Sequence, residues 1–438
     1  MKIDILVAEI GSTTTVLNAF NDFSRIGQGF AKTSVLEGDV SIGLNQALDN
    51  LCQNLGVADI NYTEFFATSS AAGGLKMTVH GLIYDMTAKA AKDAALGAGG
   101  NISLITAGDL ADVELNQITQ LSPNLILLAG GVDYGDRQNA INNAKKLAKM
   151  PITAPIIYCG NIQNQLEIKE IFETAGKKIY ITENVYPKID ELNINPVRTL
   201  IHRAFEEHIT EARGMEKIRQ MVNSAIIPTP GAVMQAAMLL HGEIGNLLVV
   251  DIGGATTDIH SVADESDDIA KIQINAEPFA KRTVEGDLGL YINAQNVATL
   301  LNETVPANLP YIPQNESEIG LVERLSFVAG KTAIERHAGR IKHTYGASGR
   351  KNYAVGKDLT AIQHIIGTGG ALTRLPNRLE ILKKLTKINE NGSLLYPNSE
   401  QIKVLVDNDY IMAAAGVLSM VYPTEALKIL KKSLGIKI

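Results

Sequence analysis

Two stretches of this chain share one pattern of apolar and polar positions. Leu6, Val7 and Ala8 run into the carboxylate Glu9, the chain turns at Gly11 and Ser12, and Thr13, Thr14 and Thr15 open a second run. Leu248, Val249 and Val250 run likewise into Asp251, turn at Gly253 and Gly254, and resume with Ala255, Thr256 and Thr257. β-Branched residues on both sides of the glycines predict a strand–turn–strand hairpin in each place. Two hairpins so far apart argue for two lobes of related architecture and not for an array of short repeats.

Around the first hairpin the pattern predicts strands over 26–33 and 65–68. Between them Val40, Leu44, Ala47, Leu48 and Leu51 fall at helical spacing and predict a helix over 40–55. Beyond residue 70 the texture changes to alternating strand and helix. Strand-like runs at 79–84, 102–106, 125–128, 156–158 and 179–181 alternate with helical stretches at 88–98, 110–121, 138–149 and 165–175. That alternation implies a mainly parallel sheet covered on both faces. The expected organisation is an α/β chain of two lobes: 1–70 begins the first, 71–225 is an inserted Rossmann-like domain, and 226–438 forms the hinge helix and second lobe, with C-terminal helices returning to the hinge. The second lobe should open with a helix over 231–240 and a strand over 247–251. A later apolar strand ends in Gly367-Thr368-Gly369-Gly370, a helix follows to 385, and another covers 410–421. Pro306, Pro310 and Pro313 interrupt a polar stretch that reads as a loop.

Composition narrows the function classes. With 45% apolar and 20% charged residues over 438 positions, the chain buries a large core. Its 40 basic against 47 acidic side chains leave a net charge of −7, the wrong sign for a phosphate backbone as main partner. Tryptophan is absent and aromatics reach 5%, too few for base-stacking platforms. Cys52 and Cys159 make neither a disulfide framework nor a four-thiolate metal site, and both read as core thiols. Asp4 and Glu9 interrupt the start, so no signal peptide is expected, and no apolar run is long enough to span a bilayer. A cytoplasmic location is the expectation.

The candidate chemistry lies in the glycine turns. A turn without Cβ atoms brings backbone N–H groups close to an anion. Gly11, Ser12, Thr13 and Thr14 on one side, and Gly253, Gly254, Ala255 and Thr256 on the other, would grip a polyphosphate from opposite faces. Glu9 and Asp251 stand where hydrated Mg²⁺ needs hard oxygen ligands, and Asp258 is a third carboxylate within reach. Gly367, Gly369 and Gly370 would let backbone lie flat against a nucleoside.

An N-terminal phosphate hairpin, a second with Asp251-Ile252-Gly253-Gly254-Ala255-Thr256-Thr257-Asp258, and a later Gly367-Thr368-Gly369-Gly370 together resemble the superfamily of sugar kinases, heat-shock chaperones and actin. The segment 228–237 is similar to that superfamily's first hinge helix and 409–418 to its second. Ala129-Gly130-Gly131-Val132-Asp133 with Gly135-Asp136, Arg336-His337-Ala338-Gly339, and Asn352-Tyr353-Ala354-Val355-Gly356-Lys357-Asp358-Leu359 resemble the accessory proteins of cobalamin-dependent glutamate mutase, the MutL/GlmL family. That likeness spans nearly the whole chain. It implies a two-lobed actin-like ATPase with ribonuclease H-like lobes that reactivates a cobalamin-dependent mutase, of the glutamate or ornithine class, by exchanging damaged cofactor. The resemblance also implies roles: Asp251 orients or activates the attacking water, Glu9 and Asp258 order Mg²⁺, and ATP is the nucleotide. Glu9 departs from the superfamily, where Asp is usual; its extra methylene shifts the cation and bears on hydrolysis more than on binding.

Several motifs are decoys. Gly330-Lys331-Thr332 lacks a glycine at 325 and a preceding strand, so it is no P-loop. His202/His208 and His337/His343 are not at metal-ligand spacing. Asp-x-His-x-x-Gly is absent, so this chain is not expected to hold cobalamin itself. Gly130-Gly131 reads as a tight turn. The basic amphipathic segment 426–438 is expected to pack on its lobe and not on a membrane. Rival readings are a small-molecule kinase of the same fold, a dehydratase activator with a bridging iron–sulfur cluster, which two distant cysteines do not support, and an actin-like scaffold that binds nucleotide without turnover. The oligomeric state and any small partner subunit stay open.

Overall fold

The computed structural model describes residues 1–34, 39–70, 75–98, 100–209, 215–274, 277–306, 309–346, 349–389, 392–397 and 402–437. The expected start of the insertion, residue 71, lies outside them.

The first lobe opens with β1 (Lys2–Ile10), β2 (Thr14–Asn21) and β3 (Ser24–Lys32), an antiparallel meander. Helix α1 (Val40–Leu55) follows the 3.6-residue pattern, with Asp39 accepting from the Ser41 N–H at its start and Gly56, at φ 66°, ending it. β4 (Asn61–Ser69) then pairs parallel to β1.

The next strands form a separate, wholly parallel sheet. They are β5 (Lys76–Gly81), β6 (Asn101–Ala107), β7 (Leu125–Leu128), β8 (Ile156–Tyr158) and β9 (Ile179–Ile181), in the spatial order β6-β5-β7-β8-β9. Helices α2 (Lys89–Gly97), α3 (Asp112–Leu121), α4 (Gln138–Ala148) and α5 (Gln165–Thr174) connect them. The expected strand over 79–84 stops at Gly81, because the Thr87 hydroxyl accepts from the Leu82 and Ile83 N–H groups and a π-helical turn, Tyr84–Ala88, begins there. Two further helices, α6 (Asn195–Ile209) and α7 (Met215–Met221), lead back to the first lobe.

The return is β10 (Ile227–Pro228), which joins the first sheet beside β4, giving the order β10-β4-β1-β2-β3. Helix α8 (Thr229–Ile244) crosses to the second lobe. There β11 (Leu247–Ile252), β12 (Thr257–Val262) and β13 (Ala280–Glu285) form another antiparallel meander, with α9 (Asp267–Ala270) between the last two. Helices α10 (Ala294–Thr299) and α11 (Glu316–His337) and a hairpin of β14 (Arg340–Gly346) and β15 (Gly349–Val355) follow. β16 (His364–Thr368), α12 (Gly369–Arg374), α13 (Arg378–Leu385) and β17 (Lys403–Val406) complete the sheet, in the order β13-β12-β11-β16-β17. The chain closes with α14 (Met412–Leu418) and α15 (Pro423–Ser433).

Strand for strand, β3-β2-β1-β4-β10 repeats as β13-β12-β11-β16-β17. This duplicated sheet is the actin-like architecture. The parallel sheet interrupts the first copy at the β4–β10 connection, where the second copy passes from β16 to β17 through α12 and α13.

Helices α8 and α14 fill the space between the two sheets. Ile5 and Val7 of β1 and Leu247 and Val249 of β11 share one core with Ala232, Ala236, Met412 and Val417. Leu430 and Leu434 of the C-terminal segment are buried in that same core, and Lys431 pairs with Glu243 at 2.9 Å, so the tail packs on the lobe. The helix expected over 410–421 starts at Met412, because Tyr410 sits at φ 51° and the Asp407 carboxylate accepts from the Ile411 and Met412 N–H groups. Lys331 lies in mid-helix on α11, where a Cβ on Gly330 would be 3.0 Å from Leu385 Cδ1, so that glycine serves helix packing. The described residues between α10 and α11 form neither helix nor strand.

Candidate functional site

Both hairpins turn by the same bond. Gly11 donates to the Thr14 carbonyl at 3.0 Å, and Gly253 donates to the Thr256 carbonyl at 3.0 Å. The two tips face one another across the lobes: a Cβ built on Gly254 would lie 2.8 Å from Thr13 Oγ1. The tips therefore touch in this structure, and admitting phosphate groups between them requires the lobes to part. Ser12 is tied down through its hydroxyl to the Ser70 carbonyl at 2.9 Å. Asn293 braces the second tip by donating to the Ala255 carbonyl at 3.0 Å and the Gly286 carbonyl at 2.7 Å.

Behind the tips the strand ends bring the carboxylates together. Glu9 is opposite Val16 in the first hairpin, whereas Asp251 is opposite Asp258 in the second. The second hairpin thus carries two acids where the first carries one. Asp258 is 4% exposed and is held by Arg282, whose Nη2 and Nε donate to Oδ1 at 2.5 and 3.0 Å; its Oδ2 accepts from Thr256 Oγ1 at 3.0 Å. Burial pushes Asp251 well above the carboxylate range, and the neighbouring Asp258 and Glu9 push it further. Burial likewise drives Glu9 up to about 7, opposed by a hydrogen bond from the Tyr410 hydroxyl to Oε1 at 3.2 Å. Glu9 Oε2 is buried with no hydrogen-bond partner among the described residues.

An orphaned buried carboxyl oxygen beside two further acids gathers hard oxygen donors at one place. Such a set fits a hard divalent cation. No three of these acids stand close enough, among the described residues, to ligate a metal directly. A cation here would reach them through water.

The three later glycines differ in situation. Gly369, at φ 82°, lies on the second hairpin: a Cβ there would be 2.5 Å from Asp251 Oδ1 and 2.5 Å from the Ile252 carbonyl oxygen. Gly370 faces open space, with nothing within 4 Å of its Cβ position. A Cβ on Gly367 would lie 2.6 Å from Leu382 Cδ1, so its missing side chain serves the seating of α13 on the sheet.

Four residues of the cluster escaped the sequence reading. Asp407 follows β17 and is fully buried; Thr368 Oγ1, Ser433 Oγ and the Ile411 and Met412 N–H groups all donate to it. A signal was present, since Val404-Leu405-Val406-Asp407 is again an apolar run that ends in an acid. Tyr410 is held in the left-handed region, where a bulky residue costs about 1–3 kcal/mol, and there it reaches Glu9. Arg374 lies over the Phe30 ring at 4.5 Å and the Tyr410 ring at 5.9 Å. Arg282 had no local signal at all.

A sequence model of the family described as "MutL protein" matches residues 5–434. The chain is 38% identical over 457 aligned positions to the curated "Protein MutL" of Clostridium tetanomorphum, a match covering 98% of each chain. Among solved structures it is similar to a nucleotide-free acetone carboxylase, at a TM-score of 0.42 and 14% identity, over 95% of this chain and 70% of that one. It is similar also to a nucleotide-free diol dehydratase-reactivating factor, at a TM-score of 0.35 and 11% identity, over 96% and 99% of the two chains. Ethanolamine utilization protein EutJ from Carboxydothermus hydrogenoformans overlaps at a TM-score of 0.32 and 11% identity, over 96% of this chain and 88% of that one.

Proposed function

The chain belongs to the MutL protein family, and on that premise we propose that it is an ATP-dependent reactivating chaperone for a cobalamin-dependent amino-acid mutase of the glutamate or ornithine class. In this reading residues 1–70 and 226–438 supply the two lobes and 71–225 the inserted domain. The observation that carries it is the pair of hairpins, closed by the same turn bond and set tip to tip, with acids at the strand ends behind them.

Gly11, Ser12, Thr13 and Thr14 bind phosphate from the first lobe; Gly253, Gly254, Ala255 and Thr256 bind it from the second. Gly369 and Gly370 offer backbone to the nucleoside, and Gly370 is the one with free space before it. Asp251 orients the attacking water. Glu9 and Asp258 hold the waters of a cation. Mg²⁺, when bound, supplies charge neutralisation for the phosphates, and positioning with charge neutralisation is most of what phosphoryl transfer asks of a protein. Thr13 and Gly254 exclude water from the cleft when the tips meet. Parting and meeting of the lobes about α8 and α14 is the two-state element that acts on the client.

The test is calorimetric titration with ATP and Mg²⁺ of the native protein and of Asp251→Ala, followed by phosphate release and by recovery of mutase activity from an inactivated client. Binding with slow hydrolysis, weakened in the variant, supports the reading. No binding at millimolar ATP to folded protein ends it and leaves a scaffold role. ATP-dependent phosphorylation of a small molecule, with no effect on the client, would favour the kinase instead.

A further inference from the structure

The insertion departs from the first lobe yet is fastened to the second. β13 is an edge strand of the second sheet, and such an edge needs a cover. Helix α2 of the insertion packs against it. Three cations make the fastening. Lys89 pairs with Glu277 at 2.7 Å, and Arg198 donates to the Ala280 carbonyl at 2.8 Å. The third is Arg282, which donates through Nη1 to the Leu96 and Gly100 carbonyls at 3.0 and 3.1 Å, at the C-terminal end of α2.

Arg282 is also the residue that holds Asp258. One edge of its guanidinium is committed to the carboxylate behind the second hairpin and the other to the end of α2, in a setting that is 3% exposed. A planar guanidinium cannot turn toward one set of partners without leaving the other. The end of a helix carries partial negative charge that a cation complements, and Asp258 fixes the guanidinium in the orientation that serves the α2 carbonyls.

We propose that Arg282 is a positioning residue that couples occupancy of the phosphate site to docking of the inserted domain. With a hydrated cation bound beside it, Asp258 would share Oδ1 between that cation's water and Arg282, and Arg282, less firmly fixed, would hold α2 less firmly. The coupling is reciprocal: pulling α2 from β13 frees the guanidinium and changes the charge facing the cation. The insertion is then the element that reports nucleotide state to the outside. This inference rests on the hairpins being a nucleotide site, but its first link does not need nucleotide.

Hydrogen exchange of the full chain separates the two. The probes are the Ala98 and Gly100 amides, which donate to Ala94 and Ala95 at 3.1 and 2.8 Å, with α4 as internal reference. Without nucleotide, Asp258→Asn should speed exchange at both probes at least tenfold and leave α4 unchanged; unchanged probes overturn the coupling, whatever the site binds. With Mg-ATP, native protein should show faster exchange at the same probes, and Arg282→Lys should show no response to Mg-ATP while still binding it by calorimetry. Calorimetric binding with no change at the probes overturns the inference and leaves the nucleotide site standing. Absence of calorimetric binding overturns both the site and the coupling.

Discussion

Gly416 of α14 stands so close to α8 that a Cβ on it would lie 1.8 Å from the Ala232 carbonyl oxygen. The two helices therefore meet backbone to backbone at this point, with no side chain between them. No rotamer change relieves a clash with a carbonyl, so Gly416→Ala has to move a helix. Overpacking of this kind costs about 3 kcal/mol. Denaturant unfolding should show that loss in Gly416→Ala, and an unchanged midpoint would mean that α8 and α14 are free to slide.

The Glu9 carboxyl ties stability to pH. Its pKa is 4.5 in the unfolded chain and about 7 in the folded protein, raised chiefly by burial. A raised folded pKa gives stability that is fully present below pH 4.5 and lost as pH rises through 7. Between pH 5 and 8 the loss is about 2.5 kcal/mol. Asp251 and Asp407 are also raised and tilt the curve the same way, so the comparison is between the native protein and Glu9→Gln. Urea unfolding across that interval should fall more steeply in the native protein; equal slopes would show that Glu9 does not titrate there.

Contact between the hairpin tips gives a separate test. Gly254 lies outside the left-handed region, and the three atoms nearest to a Cβ there all belong to Thr13. Gly254→Val should keep the melting temperature within a few degrees while Mg-ATP affinity falls tenfold or more in calorimetry. The loss should persist in the double variant with Thr13→Ala, because the valine stands where phosphate approaches the tip backbone; native affinity in Gly254→Val would show that phosphate does not approach there.

The C-terminal helix offers a fourth. Leu430 of α15 is fully buried in the core it shares with α8 and α14. Leu430→Ala should cost about 2–5 kcal/mol, as core truncations do. Native protein mixed with anionic vesicles should stay in the unbound fraction on flotation, since the leucines that a membrane would take up are committed to the core.

Much of the local structure was legible. Helix α1 and the strands β7, β8 and β9 stand where the apolar spacing places them, because each is set by neighbours within a few residues. Both hairpins were visible for the same reason. Helix α11, the strand β13 and the β14–β15 hairpin were not. In α11 a mid-helix glycine reads as a break until Leu385 is seen against it.

The family likeness was carried by short motifs, and the sequence by itself determined the two hairpins, the alternation of strand and helix between them, and the choice of Glu9, Asp251 and Asp258 as candidates. Only the tertiary structure decided what surrounds those acids. Tyr410 reaches Glu9 from the far end of the chain, and Arg282 joins Asp258 to α2 across some 186 positions. Such contacts depend on how whole sheets and helices pack, and the cost of closing long loops grows too slowly with length to mark them in the sequence. Periodicity records which face of an element is buried; it does not record which distant partner is buried against it.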